Sequence, residues 1–407
     1  MKLWIERKTV QLVFISSTIV LLMLFPFKFQ LLKLLLITLT IWVTRKNLCV
    51  KQKLILWTIF FVILNICSIT YGLINGNPGV VYYIPIYLLW PILFLVWSGC
   101  MNRELLHTLL NVCWYCTWMI IILGLIAFLK LNIEMNLSGS FLMFEASIRP
   151  GFPFIAISSP LVTTFLFWYF FFFTLILVNC EKIDYKKSFF ILLGVIFIFA
   201  TSRRVILVSF IMIFILILLM LSHLNESKKI KLRVYNSIFI ISVFVLSSLY
   251  VAIACGLMDN GSMMEFFNKT SEASDSERIL QLNSLLEGWM DSPVFGQGTG
   301  VNAKIIRSNI PGTYELTYFA KLFETGLIGI VIYFWLWGFL FYWTYRCVYY
   351  KFIPSKYIIA LLSAMTIFMI SNSTNPYLGA FDYMWFMYIP FAIINVTQNK
   401  LIKDGQD

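Results

Sequence analysis

Residues 188–221 read SFFILLGVIFIFATSRRVILVSFIMIFILILLML, two apolar runs parted only by Thr201-Ser202-Arg203-Arg204. Crossing the hydrocarbon core of a bilayer takes about 20 predominantly apolar residues in a helix. The runs therefore read as a pair of membrane spans, the first of them short, with the arginines in the turn between. What those charges mean depends on the side of the membrane that the turn faces.

The rest of the chain is of the same kind. Of its 407 residues, 60% are hydrophobic, 18% aromatic and only 12% charged, and the mean hydropathy is +0.86. Soluble domains average about 45–50% apolar and about 25% charged residues, so the composition is that of an all-α polytopic membrane protein. A net charge of +12 would suggest nucleic acid in a soluble protein. In a membrane protein it reflects the excess of Lys and Arg on the cytoplasmic side, and no nucleic-acid partner is expected. The eight cysteines lie in apolar runs or close to their basic ends, which argues against a disulfide framework. Cys113-x-x-Cys116 sits inside an apolar helix, and only His107 and His223 are available as imidazole ligands. No metal site and no cofactor are expected.

Apolar runs at 10–27, 31–44, 54–74, 80–98, 106–129, 155–179, 188–201, 205–222, 235–257, 316–345, 357–371 and 380–397 give about twelve spans. Lys2, Arg7 and Lys8 precede the first as in a signal sequence, but no small-residue cleavage site follows it, so a retained helix is expected. The chain reads as one integral membrane domain over 1–407, multi-pass, with both termini cytoplasmic. Alternating the ends from that start leaves 20 basic and 7 acidic residues inside, against 11 basic and 12 acidic outside. The positive surplus is then wholly internal, as the charge rule requires. Arg203 and Arg204 fall outside, against the rule. Charges held near hydrocarbon where topology does not require them are functional candidates; the alternative for one of the two is an interfacial snorkel.

Two outer loops are long. The first, 130–154, carries Arg149 just before Pro150-Gly151, a turn signal. The second, 258–315, contains SDSERILQLNSLLEGWMDSP over residues 274–293. Ser274 and Glu277 match a capping box, and Ile279, Leu282, Leu286 and Trp289 or Met290 recur at helical spacing. Such a helix would lie along the membrane surface with Arg278 beside its apolar stripe. Gly296, Gly298 and Gly300 follow, and alternating glycines either present backbone amides to an anion or form a flexible turn. No G-x-x-x-x-G-K-[ST] occurs, so nucleotide hydrolysis is unsupported.

Five arginines thus lie outside: Arg149, Arg203, Arg204, Arg278 and Arg307. Of the 20 inner basic residues, 15 are lysine. A guanidinium grips phosphate oxygens bidentately, whereas lysine is a point charge. The bias points to a phosphate-bearing ligand at the outer face, and pyrophosphate-linked polyprenyl glycans are membrane lipids of that description.

The order of these features resembles the bacterial O-antigen polymerases (Wzy type), which share a superfamily with the O-antigen ligases. The features are Arg149 with its glycine-containing turn, the Ser202-Arg203 step, Arg278 ahead of Trp289, and Pro293 with Gly296, Gly298 and Gly300. They close with YELTYFAKLFETGLIG at Tyr314–Gly329, and together cover Leu131 to Gly329. The resemblance implies a GT-C-like helical bundle and an outward-facing site. It implies a glycosyltransferase that moves glycan from one undecaprenyl-pyrophosphate carrier to another, without metal or nucleotide sugar. Membrane lipid and a chain-length regulator are the further partners considered. Ligases commonly carry a histidine eleven residues before the first glycine of G-L-I-G, where this chain has Glu315; that departure favours a polymerase.

For such chemistry Arg203 and Arg278 are the expected catalytic cations, stabilising the departing pyrophosphate, with Glu315 as the base. Arg149, Arg204, Arg307 and Asp382 are the expected substrate contacts, Asp382 toward sugar. Lys321 and Glu324, three apart on one helix, read as a structural pair. The rival readings are an O-antigen ligase and a lipid-linked glycan flippase. A flippase fits less well, because neither half of the chain visibly repeats the other.

Overall fold

The computed structural model describes residues 2–132, 145–147, 156–179, 184–201, 204–223, 276–306, 310–350 and 352–403. They are overwhelmingly helical: α1 (Lys2–Leu24), α2 (Gln30–Thr44), α3 (Gln52–Ile74), α4 (Val80–Gly99), α5 (Arg103–Asn132), α6 (Leu161–Val178), α7 (Tyr185–Thr201), α8 (Arg204–His223), α9 (276–290), α10 (Thr317–Arg346), α11 (Ser355–Asn372) and α12 (Ile389–Lys403). Six of them are long and apolar enough to cross a membrane: α3, α4, α5, α6, α10 and α11. Each expected span coincides with helix except 235–257, which lies outside the described residues. A short antiparallel hairpin pairs β1 (Glu145–Ser147) with β2 (Ala156–Ser158), Ala146 standing opposite Ile157. Three-residue strands carry too little alternation to be read from sequence. Arg149, between them, lies outside the described residues.

Local chemistry explains where the helices bend. Pro85 has no N–H to give to the preceding turn, and α4 widens into a π-helical stretch over Pro85–Leu89. Between α1 and α2 the chain turns through Pro26, with Phe27 and Phe29 both at positive φ (63° and 55°). That conformation is uncommon for bulky residues, and here a side chain reaches across the turn to hold it: Lys33 Nζ donates to the Phe25 carbonyl at 2.5 Å.

The chain divides into two compact units. One contains residues 114–277 and 359–371, and its centre is α6, with the run Phe165–Phe173 buried on every side. A helix apolar all round belongs in an interior rather than at an interface with water. Gly194 lets the Tyr169 ring lie on the α7 backbone, and Gly124 does the same for Phe197 against α5. Tyr169 keeps its hydroxyl satisfied by donating to the Ile191 carbonyl at 3.0 Å.

The other unit contains residues 1–113, 278–358 and 372–407. Here the segments assigned by charge to one face of the membrane find one another. Lys8 pairs with Glu104 at 2.6 Å, the Cys49 amide donates to the Gly99 carbonyl at 2.9 Å, the Lys51 amide donates to Asn395 Oδ1 at 3.0 Å, and Arg103 lies over the Phe352 ring. The segments assigned to the opposite face also meet. The α3–α4 turn touches the loop after α9, and the α1–α2 turn is tied to the segment before α12. That second tie is an ion pair between Lys33 and Asp382, both fully buried. Among the described residues, these contacts join ends within each set, as alternating spans would.

Breaking a buried pair by removing one partner strands an uncompensated charge, at about 3–5 kcal/mol, whereas replacing both by apolar groups is often neutral. Lys33→Met or Asp382→Leu alone should therefore sharply lower the Tm of the detergent-purified protein, and the double variant should recover most of the loss. Three equally unstable proteins would show that the pair does not anchor the hairpin.

Candidate functional site

The candidate site is built on α9, the loop that follows it and the start of α10. In α9 the buried positions are Gln281, Ser284 and Leu285, while Ile279 and Met290 are 56% and 65% exposed. The inward face of α9 is centred on Leu285, and its outward side keeps the apolar Ile279 and Met290. Leu285 packs with Ala303, Tyr314, Ala320 and Phe323 in a small core that also holds Trp289 and Leu316. Gly288 supplies the flat place on α9 against which the Phe323 ring rests. Ser274, the expected cap, lies outside the described residues.

The loop after α9 is held by its glycines. Gly296, Gly298 and Gly300 all have positive φ (75°, 89° and 74°), a region glycine enters without steric penalty. Each lies so close to another backbone that a Cβ would overlap it: Gly296 on Glu324 and Gly326, Gly298 on Gly72, Gly300 on Gly79. Their amides are used within the protein. Gly296 N–H donates to the Ser292 carbonyl at 2.8 Å, Gly298 N–H to the Glu324 carbonyl at 2.8 Å, and Gly300 N–H to Glu324 Oε1 at 3.1 Å. Neither the anion cradle nor the flexible turn describes this loop. It is a backbone-to-backbone joint, and the donors that a phosphate would need are taken.

The partner strand of that joint is a break in α10. Gly326 sits at φ 65°, ψ −171° inside the helix, which frees the carbonyls of Phe323 and Glu324 to receive the loop's amides. Glu324 then works at three points, because its Oε2 also accepts from Lys321 Nζ at 2.8 Å. Both side chains are nearly buried, and Lys321 lies over the Tyr87 ring at 4.1 Å. The structural pairing expected of Lys321 and Glu324 is present, and the pair does more than expected, since it also fastens the glycine loop.

Glu315 is placed by its neighbours. Tyr314 is buried and its hydroxyl is bonded twice, accepting from the Ala303 amide at 2.5 Å and donating to the Val301 carbonyl at 2.8 Å. Burial pushes the Tyr314 phenol up to about 12, so it remains a donor across the physiological range. With Tyr314 and Leu316 fixed in the core, Glu315 points outward and meets α9: Arg278 Nε donates to Glu315 Oε2 at 3.1 Å. The two side chains are 36% and 33% exposed. The structure thus joins one expected catalytic arginine to the expected base.

The other expected residues fare differently. Arg149, Arg203 and Arg307 lie outside the described residues, and of Arg204 only the backbone, at the start of α8, is described. Asp382 does not reach an outer sugar site, because it is fully buried against Lys33; an aspartate beside two tyrosines resembles a glycan contact in sequence, and the lysine 349 residues earlier gave no local sign of pairing with it. Among the described residues no three His, Cys, Asp or Glu side chains gather as metal ligands would.

Compared with known families, residues 189–334, from α7 into α10, match the model of the O-antigen ligase family (Wzy_C). That segment is similar to the O-antigen ligase family and spans less than half of the chain. A search of curated proteins found no match. The match includes Arg203, Arg278, Arg307, Glu315 and the loop glycines with Gly326, whereas Arg149, Gly72 and Gly79 lie outside it.

Two outcomes test this geometry. Gly326→Ala should cost about 1–2 kcal/mol for the left-handed backbone alone, and more for the overlap with Val294; an unchanged Tm would show that the joint is not tightly packed. Gln281 is fully buried, and neither carboxamide atom has a hydrogen-bond partner among the described residues. Gln281→Met, which removes that desolvated amide and keeps the side chain's length, should raise stability by about 1–3 kcal/mol, read as a higher Tm.

Proposed function

We propose that this chain is the polymerase of the superfamily, a metal-independent glycosyltransferase at the periplasmic face of a bacterial inner membrane. It joins undecaprenyl-pyrophosphate-linked oligosaccharide repeat units into O-antigen for lipopolysaccharide. The observation that supports the reading is the Arg278–Glu315 contact of 3.1 Å, which brings together a guanidinium and a carboxylate suited to those two roles. In the reaction Glu315 takes the proton of the acceptor hydroxyl, the acceptor oxygen attacks the anomeric carbon of the donor, and the bond to pyrophosphate breaks. Arg278 and Arg203 stabilise the charge that accumulates on the leaving group, supported by Arg149, Arg204 and Arg307. Pyrophosphate is a good leaving group, so the step does not demand a metal. The polyprenyl tail stays in the bilayer, and a chain-length regulator is a further proposed partner.

A second reading, O-antigen ligase transferring glycan to lipid A-core, is favoured by the description of the matched family. The carboxylate at 315 in place of the ligase histidine is what favours polymerase. Deleting the gene and running lipopolysaccharide on a gel separates the two. Core capped by a single repeat supports polymerase, bare core with accumulated lipid-linked polymer supports ligase, and an unaltered ladder excludes both. Arg278→Ala, losing a charge-assisted contact of about 1.5–3 kcal/mol, should slow chain extension by roughly ten- to a hundred-fold at unchanged protein level. Full extension by that variant would remove Arg278 from the chemistry.

A further inference from the structure

Within the unit that contains both helices, α3 begins where α10 finishes. The two run antiparallel and are fixed to each other: Trp57 Nε1 donates to the Leu336 carbonyl at 2.6 Å, and the Trp57 ring packs edge-on against Trp337. Lys53, in the first turn of α3, and Arg346, the last residue of α10, converge there on a single aromatic ring. Lys53 Nζ lies 3.3 Å from the centroid of Trp343, and the Arg346 guanidinium lies 5.5 Å from it. Lys51 stands two residues before Lys53.

Like charges gathered in this way repel, and the negative face of one ring is a weak counterweight to two cations. Elsewhere in the unit a lysine is met by a carboxylate: Lys8 by Glu104, Lys33 by Asp382, Lys304 by Glu287 and Lys321 by Glu324. Lys53 and Arg346 have no carboxylate partner among the described residues. An excess of cations at one face of the membrane follows from topology alone. Two of them on one ring without an anion do not.

The neighbouring surface indicates the class of anion. Leu56, Phe60 and Ile63 follow Lys53 by three, seven and ten residues, which places them on its side of α3, and all three are exposed. On α10, Tyr342 and Trp335 precede Arg346 by four and eleven residues, lie on its side and are also exposed. Both helices are long and apolar enough to cross a membrane, so two exposed apolar stripes each end in a cation. A soluble anion would use the cations and leave the stripes idle, whereas a lipid uses both.

We infer that the Lys53 end of α3 and the Arg346 end of α10 form a binding site for an anionic glycerophospholipid. Its phosphate bridges Lys53 and Arg346, and its acyl chains lie along the two stripes. Basic pockets between transmembrane helices take such headgroups, and phosphate oxygens accept strong charge-assisted hydrogen bonds from both side chains. The site lies at the opposite end of α3 and α10 from Gly72 and Gly326, and so stands apart from the proposed transfer chemistry.

The test titrates the full chain, in neutral detergent, with short-chain phosphatidylglycerol. Phosphatidylcholine of the same chains and glycerol 3-phosphate are run in parallel, and bound molecules are counted by native mass spectrometry. The unaltered protein should prefer phosphatidylglycerol to both. Lys53→Gln and Arg346→Gln should each weaken that binding roughly five-fold, and together roughly thirty-fold. Lys304→Gln, which removes an exposed cation on the loop after α9, should leave it unchanged. Phosphatidylglycerol should also raise the Tm of the unaltered protein by more than that of the double variant, a comparison that holds whatever their starting stabilities. Equal binding of the two lipids, or phosphatidylglycerol binding indifferent to the double variant, would overturn the site. Glycerol 3-phosphate binding as tight as the lipid's would overturn the lipid assignment in favour of a soluble phosphate ester.

Discussion

Gly298 lies against the backbone of Gly72, Gly300 against that of Gly79, and Gly296 against the break at Gly326. Main chain packed on main chain has no side chain to cushion it, so each amide must find a carbonyl at that distance or stay unbonded in a dry place. The carbonyls come from interrupted helices. The Gly326 break exposes those of Phe323 and Glu324, and the end of α3 offers that of Ser68 to the Thr299 amide at 3.0 Å. Asn77, in the α3–α4 turn, adds its side-chain amide to the carbonyls of Gln297, Gly298 and Thr299 at 3.0–3.2 Å. The loop is therefore rigid because two helices stop short for it. The loop then leads through Val301 and Ala303, whose backbones hold Tyr314 beside Glu315.

The joint also sorts the electrostatics. Glu324 is consumed in structure, with both carboxylate oxygens committed to the loop amide and to Lys321. Nine residues earlier, Glu315 is left on a partly wet surface opposite Arg278. Two carboxylates on one short stretch thus have different work because one lies under the joint and the other at its rim. An arginine in the second setting presents a planar fork of donors, and a lysine in the first needs only to neutralise its partner.

Much of this was legible in the residues. Hydropathy marked the helical segments, and alternation divided their ends into two groups, members of which meet within one unit. The spacing of Arg278, Glu315 and the glycines was visible as well. What escaped was everything carried by distance. Alternating glycines read as an anion cradle because nothing local says that Gly72 and Gly79 lie underneath, more than two hundred residues away. The inward face of α9 was hidden because a surface helix bears apolar residues on more than one side, and composition does not distinguish Ile279 from Leu285. Asp382 looked available to sugar because its partner belongs to the second helix of the chain.

That last pairing has a bearing on how the protein is made. Lys33 emerges 349 residues ahead of Asp382, and translation proceeds at about 5–20 residues per second. At that rate Lys33 waits about 20–70 seconds for its counter-charge. Until then a long lysine stem can carry the ammonium toward water. The tie between the first hairpin and the last helical segment therefore forms only after residue 382 has been synthesised.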